Sequence, residues 1–242
     1  MPETSKRLQS GRQFLADSGL NILGIFDVAN LPAPICDPLR ADGVAFERYR
    51  SLVLIAAGGV TFWSALQAFG MRSDNPVDAF SRYLAERFVA EYLQCDDALH
   101  LYPGRNAIPL QQLGVLAGWH HPSPLGLGIH AKFGLWFAYR SAILVTQSLP
   151  PTRAQLSESP CVSCADKPCV STCPPGAVRA DNPLALATCI GFRLKSGSVC
   201  EAQCLARGAC PVGVEHRYPD EQTAYYARHS LASLRRYRAG LP

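Results

Sequence analysis

The sequence lacks any run of 18 apolar residues, which is about the length that a membrane-spanning helix needs. Its most apolar stretch, residues 51–63, is shorter than that and contains two glycines. Residues 1–19 have no apolar core of the kind that secretory signal peptides carry. We therefore expect a cytoplasmic protein with no membrane partner.

Charged residues are also scarce, at 17% of the 242 residues, whereas 48% are hydrophobic. Disordered chains show the opposite balance, so this composition predicts a folded chain with a sizeable core. The length is suitable for one large domain, or for one domain and a small module. The formal net charge of +4 is modest and does not by itself indicate a nucleic-acid partner.

The cysteines are unevenly distributed along the chain. Eight of the ten lie between Cys161 and Cys210, whereas Cys36 and Cys95 stand alone. In a reducing compartment, clustered thiols are metal ligands or catalysts more often than disulfides. We expect the eight clustered thiols to bind metal and the two isolated ones to be ordinary buried thiols.

The composition changes near residue 150, and residues 149–160 have the polar, proline-rich character of a linker. Residues 1–150 are predicted to form one domain and residues 151–242 a second, smaller one. Apolar periodicity predicts helices at 5–18, from 76 onward with Asn75 as cap, at 111–119 and at 220–238. It predicts strands at 20–26, 50–57, 99–102 and 136–148. This mixture indicates an α/β or α+β layer architecture.

The cysteine spacing indicates iron–sulfur clusters. The first group reads Cys161-x2-Cys164-x4-Cys169-x3-Cys173-Pro, and the second consists of Cys189, Cys200-x3-Cys204 and Cys210-Pro. In bacterial two-cluster ferredoxins, the cysteine that precedes proline ligates the other cluster. Applying that crossover divides the eight thiols into two groups of four. The first thiol set is Cys161, Cys164, Cys169 and Cys210; the second thiol set is Cys173, Cys189, Cys200 and Cys204. Each set is expected to hold one [4Fe–4S] cluster.

Two zinc ions with four thiolates each are the alternative for the same eight cysteines. The two Cys-Pro closures favour iron–sulfur. The x4 spacing is two residues longer than the usual x2, and Asp166 and Lys167 are expected to form the resulting bulge. Two oxidised clusters with their thiolates would carry a charge of about −2 each and bring the net charge close to zero.

Residues 129–140, IHAKFGLWFAYR, resemble a segment of the CblC-type cobalamin-processing proteins. Residues 31–34, 51–57 and 75–78 resemble three further segments of that family in the same order. The resemblance covers roughly residues 20–150 and implies a nitroreductase-like domain that binds a corrinoid. It implies that the cofactor-binding residues include Tyr102, His130, Phe133, Gly134, Trp136, Phe137 and Arg140. Of these, the arginine corresponds to one that contacts glutathione in the family.

Residues 189–211 resemble the two-cluster module of the epoxyqueuosine reductases, which place cobalamin against a [4Fe–4S] cluster. Reductive dehalogenases share that arrangement. The resemblance implies a ferredoxin-like two-cluster module after the corrinoid domain. Gly118-Trp119 is followed here by His120-His121-Pro122, so a substrate motif of those reductases is missing. We also expect no helical-repeat domain of the kind that assists tRNA binding in some of them, and no nucleic-acid partner.

The sequence therefore predicts an iron–sulfur oxidoreductase that binds cobalamin and either reduces it or uses it in a reductive reaction. Electrons would come from a ferredoxin or flavodoxin. Three alternatives stay open: a ferredoxin-like electron-transfer subunit, a flavin reductase with FMN in the nitroreductase-like domain, and a short epoxyqueuosine reductase. Arg140 lies in an apolar strand and requires a partner for its charge. His120 and His121 are predicted to lie in a loop that lines a pocket.

Overall fold

A computed structural model of the chain describes residues 2–154, 156–181 and 184–240. Its strands are β1 (Ile22–Asp27), β2 (Ser51–Gly58), β3 (Ala98–Tyr102), β4 (His121–Pro122), β5 (Gly128–Ile129) and β6 (Phe137–Val145). Its α-helices are α1 (Pro2–Asp17), α2 (Ala33–Ala41), α3 (Thr61–Phe69), α4 (Pro76–Arg87), α5 (Leu110–Leu116), α6 (Pro168–Ser171), α7 (Leu186–Arg193), α8 (Leu205–Gly208) and α9 (Asp220–Arg238). No helix in the described ranges is both long and apolar enough to cross a membrane.

The chain forms two compact units. The first comprises residues 1–120 and 137–156, and the second comprises residues 121–136 and 157–242. The sequence-based division at residue 150 differs from these units in two respects: residues 121–136 belong to the second unit, and the first unit extends to residue 156. The 121–136 segment precedes β6 in the chain and would be assigned to the first domain by sequence order alone.

The first unit is built on an antiparallel sheet with the strand order β1-β2-β6-β3. All eight residues of β2 are buried, as the continuous apolar run predicts for a central strand. The side-chain amide of Asn21 donates to the Gly58 carbonyl oxygen at 2.9 Å and accepts from the Gly58 N–H at 2.8 Å. It thereby continues the β1–β2 ladder. The antiparallel pairing makes α+β the correct class for this unit.

Helices of the first unit surround that sheet. A π-helical turn, Phe88–Leu93, follows α4 directly and packs on α1, where the rings of Phe14 and Tyr92 stack with centroids 5.1 Å apart. Pro76 begins α4 as predicted, but the Asn75 side chain makes no capping hydrogen bond. Asn75 therefore occupies the N-cap position as predicted, without a side-chain hydrogen bond to the helix, and the helix starts where proline favours it.

The second unit has short helices and turns around a small apolar core. Leu125, Ile129 and Leu135 of the 121–136 segment are buried there together with Val178 and Ala206. The buried thiols Cys169 and Cys210 belong to the same core. Helix α9 spans the residues predicted for it, with acidic residues in its first turn and arginines in its last, as the helix dipole favours.

Candidate functional site

Interactions among the clustered thiols fall into two groups of neighbours. Burial raises the pKa of Cys169, and the thiols of Cys210, Cys161 and Cys164 raise it further. Burial likewise raises the pKa of Cys189, as do its thiol neighbours Cys204, Cys173 and Cys200. These neighbours all belong to the same set as the thiol that they affect. Cys173 is thus a neighbour of Cys189, and Cys210 is a neighbour of Cys169. The assignment of each set to one cluster stays a prediction.

Each set offers four sulfur donors, and all of the eight except the exposed Cys204 are buried or partly buried. Burial and neighbouring thiols also raise the pKa values of Cys161, Cys200 and Cys210. Four thiolates would repel one another there unless a cationic core neutralised them. Soft thiolate donors select iron–sulfur clusters, zinc or copper(I). The donor set of each group therefore fits a [4Fe–4S] cluster.

In the part of the chain that the structure describes, no three Cys, His, Asp or Glu side chains converge closely enough to hold a single metal ion. Four thiolates at about 2.3 Å from one zinc ion would lie within roughly 4 Å of one another. A [4Fe–4S] cluster instead binds each thiolate through a different iron atom, so its ligands stand farther apart.

All four thiols of the first set line one pocket of the second unit. Its other walls are largely apolar and come mainly from the 121–136 segment and from the prolines beside the cysteines, with Ser123, Pro124, Leu125, Ile129, Leu135, Pro160, Lys167, Pro168, Pro211 and Val212 as lining residues. Lys167 has a left-handed backbone, with φ of 37°, immediately before α6. The x4 insertion thus ends in a left-handed turn that places a lysine in this pocket, and its charge opposes the raised pKa of Cys161.

Four of the residues predicted to bind the cofactor lie in the second unit, where each has a packing role. His130 Nδ1 accepts hydrogen bonds from the backbone N–H groups of Lys132 and Phe133, at 3.0 and 3.3 Å. The Phe133 ring packs on His130 and His216. Gly134 has a positive φ of 57°, and a Cβ there would overlap the Val212 backbone. Trp136 is buried and contacts Tyr218 edge-on.

Arg207 attaches the 121–136 segment to the rest of the second unit. Its Nη2 donates to the Leu135 carbonyl oxygen at 2.7 Å. Its guanidinium lies 4.5 Å from the Trp136 ring centroid and 5.0 Å from that of Tyr218. Helix α8 carries Arg207 between Cys204 and Cys210, one cysteine of each set. Arg207 was not predicted from the sequence, because nothing in its local pattern indicates an aromatic partner 71 positions away.

The other predicted cofactor-binding residues lie in the sheet of the first unit. Phe137 and Arg140 are in β6, and Tyr102 ends β3, where its carbonyl oxygen accepts from Ser141 Oγ at 3.1 Å. Arg140 is buried, and its guanidinium lies 4.9 Å from the Phe62 ring centroid. A cation–π contact of this kind supplies part of the compensation that a buried charge requires.

The two adjacent histidines have different hydroxyl partners in different units. His120 Nδ1 lies 3.2 Å from Tyr139 Oη in the first unit, and burial raises the pKa of that tyrosine. His121 Nε2 lies 3.3 Å from Ser157 Oγ in the second unit. The His120–Tyr139 pair was not predicted from the sequence, because the two residues are 19 positions apart.

Two further arginines lie beside the thiol sets. Arg193 Nε donates to the Cys200 carbonyl oxygen at 3.3 Å, and Arg217 Nη2 donates to the Cys210 carbonyl oxygen at 3.1 Å. The charge of Arg193 counteracts part of the rise in the pKa of Cys189, and the charge of Arg217 does the same for Cys210. The sequence carried one usable signal: Arg193 follows Cys189 by four residues, a spacing that places both on one face wherever the segment is helical.

No family model matches the sequence, and no curated protein matches it either. Several solved structures share its fold. Epoxyqueuosine reductase from Bacillus subtilis superimposes with a TM-score of 0.58 at 13% identity, over 90% of this chain and 68% of that one. An epoxyqueuosine reductase with a tRNA stem loop gives 0.56 at 12% identity, over 91% and 69%.

The B12-trafficking protein CblC from C. elegans also shares the fold, with a TM-score of 0.52 at 14% identity. In this case the match covers 98% of this chain and 97% of the other. Both folds suggested by the sequence resemblance are thus seen among the structural neighbours. Identities this low establish likeness of fold, and the presence of a tRNA-bound neighbour leaves the expectation of no nucleic-acid partner without support.

Proposed function

We propose that the chain is an iron–sulfur corrinoid protein that binds cobalamin and reduces it or uses it in a reductive reaction. The observation that carries the proposal is the grouping of eight thiols into two sets of four within the second unit. The fold shared with epoxyqueuosine reductases and with a B12-trafficking protein supports the pairing of clusters with a corrinoid. Each thiol set holds one [4Fe–4S] cluster in this proposal.

The clusters supply single electrons, and the corrinoid supplies a cobalt centre that reacts in its reduced states. The protein contributes the surroundings. The apolar walls of the first-set pocket limit access of water, which also protects a low-potential centre from oxidants. Lys167 and Arg217 lie beside this set and offset part of the negative charge of its thiolates.

Tyr102, Phe137 and Arg140 are the candidates for contact with the corrinoid in the first unit. Phe137 and Tyr139 offer aromatic surface, with ring centroids 5.6 Å apart. Arg140 offers a charge that suits a phosphate or the amides of a corrin ring. His120 and Tyr139 offer a hydrogen-bonded pair in the same unit that can exchange a proton with a substrate. A ferredoxin or flavodoxin remains the proposed electron donor.

The decisive experiment is reconstitution of the protein with iron and sulfide under anaerobic conditions, followed by titration with cob(II)alamin. We expect about eight irons per chain and a visible spectrum that shifts to the base-off form. About eight irons without a spectral shift would refute corrinoid binding and leave an electron-transfer or flavin protein. Stoichiometric zinc, with no cluster formation from iron, would refute the cluster assignment as well.

A tRNA epoxyqueuosine reductase is the second candidate. It is favoured by the structural neighbour that was solved with an epoxyqueuosine-modified tRNA stem loop. Helix α9 ends with three arginines that would suit a phosphate backbone. The reconstituted protein should then convert epoxyqueuosine to queuosine in tRNA with a chemical reductant. Corrinoid binding without this conversion would favour the first candidate.

A further inference from the structure

Arg193 connects three elements of the second unit. It is the last residue of α7, one turn after Cys189. Its Nε donates to the Cys200 carbonyl oxygen at 3.3 Å, and its Nη1 donates to Ser230 Oγ of α9 at 3.1 Å. The rigid guanidinium fork therefore holds the Cys189 helix, the Cys200 loop and α9 at a set separation. Two ligands of the second thiol set depend on that separation.

The positive charge of Arg193 acts on the thiols of Cys189 and Cys200. No carboxylate among the described residues forms an ion pair with it. Its guanidinium is half-buried, where charges are screened less than at a fully exposed surface. Burial raises the pKa values of Cys189 and Cys200, and the positive charge of Arg193 counteracts part of that rise. The thiolate forms are thus favoured by its positive charge.

We propose that Arg193 is a positioning residue for the second cluster: it aligns Cys189 with Cys200 and raises the reduction potential of the cluster that they bind. This inference rests on the proposed function. One electron enters the cluster on reduction and makes it more negative, and a nearby cation stabilises the reduced form more than the oxidised one. Loss of the charge therefore shifts the potential downward.

Arg217 provides a matched comparison at the first thiol set. It also donates to a cysteine carbonyl, that of Cys210, at 3.1 Å. Its side chain is exposed, so water and salt screen its charge. A change at Arg217 should affect the first cluster alone, and by less. The two arginines thus separate the effect of a charge on its own cluster from a general effect on the module.

The test is a potentiometric titration followed by electron paramagnetic resonance, with iron analysis, on the reconstituted full-length protein. The variants are Arg193→Gln, Arg193→Lys, Arg217→Gln and Cys173→Ala. The last retains only the first cluster and so identifies which potential belongs to which set. In Arg193→Gln we expect the second-cluster potential to fall by about 59 mV or more, equivalent to a tenfold change in the ratio of reduced to oxidised cluster. Arg193→Lys should recover at least half of that shift, and Arg217→Gln should leave this potential unchanged.

Two unchanged potentials in Arg193→Gln, with all irons present, would overturn the inference. If Arg193→Gln assembles only one cluster, the Arg193→Lys variant is the deciding protein. A second cluster in Arg193→Lys with a potential near that of the wild type would support the inference. Loss of the second cluster in Arg193→Lys as well would overturn the role of the charge. These results are distinct from failure of the proposed function. Wild-type protein that binds zinc or no clusters would refute the cluster assignment before any variant is measured.

Discussion

Gly134 and Val212 are in backbone contact inside the second unit. Gly134 has a φ of 57°, and a Cβ at this position would lie 2.8 Å from the Val212 carbonyl carbon and overlap its oxygen. Val212 follows Cys210 by two residues, so this contact fixes the 121–136 segment directly beside a thiol of the first set. Glycine is required here for two reasons, the left-handed backbone and the close approach.

Gly134→Ala should therefore destabilise the second unit and impair loading of the first cluster. The left-handed conformation costs an alanine about 1 kcal/mol or more, and overpacking adds about 1–3 kcal/mol. We expect a lower melting temperature and an iron content nearer four than eight. Gly208→Ala is the matched control, since Gly208 lies in a helix with nothing within 4 Å of its Cβ position. Equal melting temperatures for the two variants would contradict this role of Gly134.

The crossover of thiols predicts which pairs of cysteine substitutions act on the same cluster. Cys173→Ala and Cys189→Ala should each lower the iron content from about eight to about four, and their combination should also leave about four. Cys169→Ala combined with Cys173→Ala should remove both clusters. If the sets instead followed the two blocks of sequence, that last pair would keep about four irons. Cys95→Ala is the control and should keep all eight.

His130 should make stability depend on pH. Its pKa is lowered from 6.5 to about 4, chiefly by burial and to a lesser extent by the neighbouring His121, Lys132 and His216. Since the unfolded chain binds the proton more readily, the stabilisation is complete above about pH 6.5 and is lost as the pH falls toward 4. The ring is partly exposed, so we expect a contribution of no more than about 1 kcal/mol between pH 7.5 and 5.5.

His130→Asn supplies the comparison for that measurement. Asparagine keeps an acceptor for the N–H groups of Lys132 and Phe133 but does not titrate in this range. The iron-loaded wild type should lose more of its melting temperature between pH 7.5 and 5.5 than the variant does. Parallel losses in the two proteins would show that other groups account for the pH dependence.

The close approach of Tyr139 to α5 can be tested in the first unit. A Cβ on Gly114 would overlap the Tyr139 hydroxyl and lie 2.8 Å from Cζ. Gly114→Ala should therefore displace the ring, break the contact with His120 and cost about 1–3 kcal/mol. Tyr139→Phe alone removes one hydrogen bond and should cost about 1 kcal/mol.

Combining the two substitutions tests whether they act through the same contact. Phenylalanine removes the atom with the worst overlap, so the double variant should be more stable than the sum of the single effects predicts. Thermal or urea unfolding of the four proteins gives the coupling free energy. Strictly additive losses would mean that Gly114 is needed for some reason other than the tyrosine.

Much of the local structure was predictable from the sequence. The apolar run of β2, the proline at the start of α4 and the charge order of α9 each depend on neighbours along the chain, and the helices and strands appear at those places. The cysteine spacing also led to a division of the eight thiols into two sets, which stays a prediction. Their spacing within short loops limits which thiols can converge on one cluster.

Tertiary structure alone decided three features. It assigned residues 121–136 to the second unit, through the packing of Arg207 on Trp136 and the contact of Gly134 with Val212. It paired His120 with Tyr139. It placed the charge of Arg193 beside Cys200. Periodicity and spacing reflect interactions between residues close in sequence. These contacts mostly join residues far apart in the chain, so their geometry is set by the packing of whole elements.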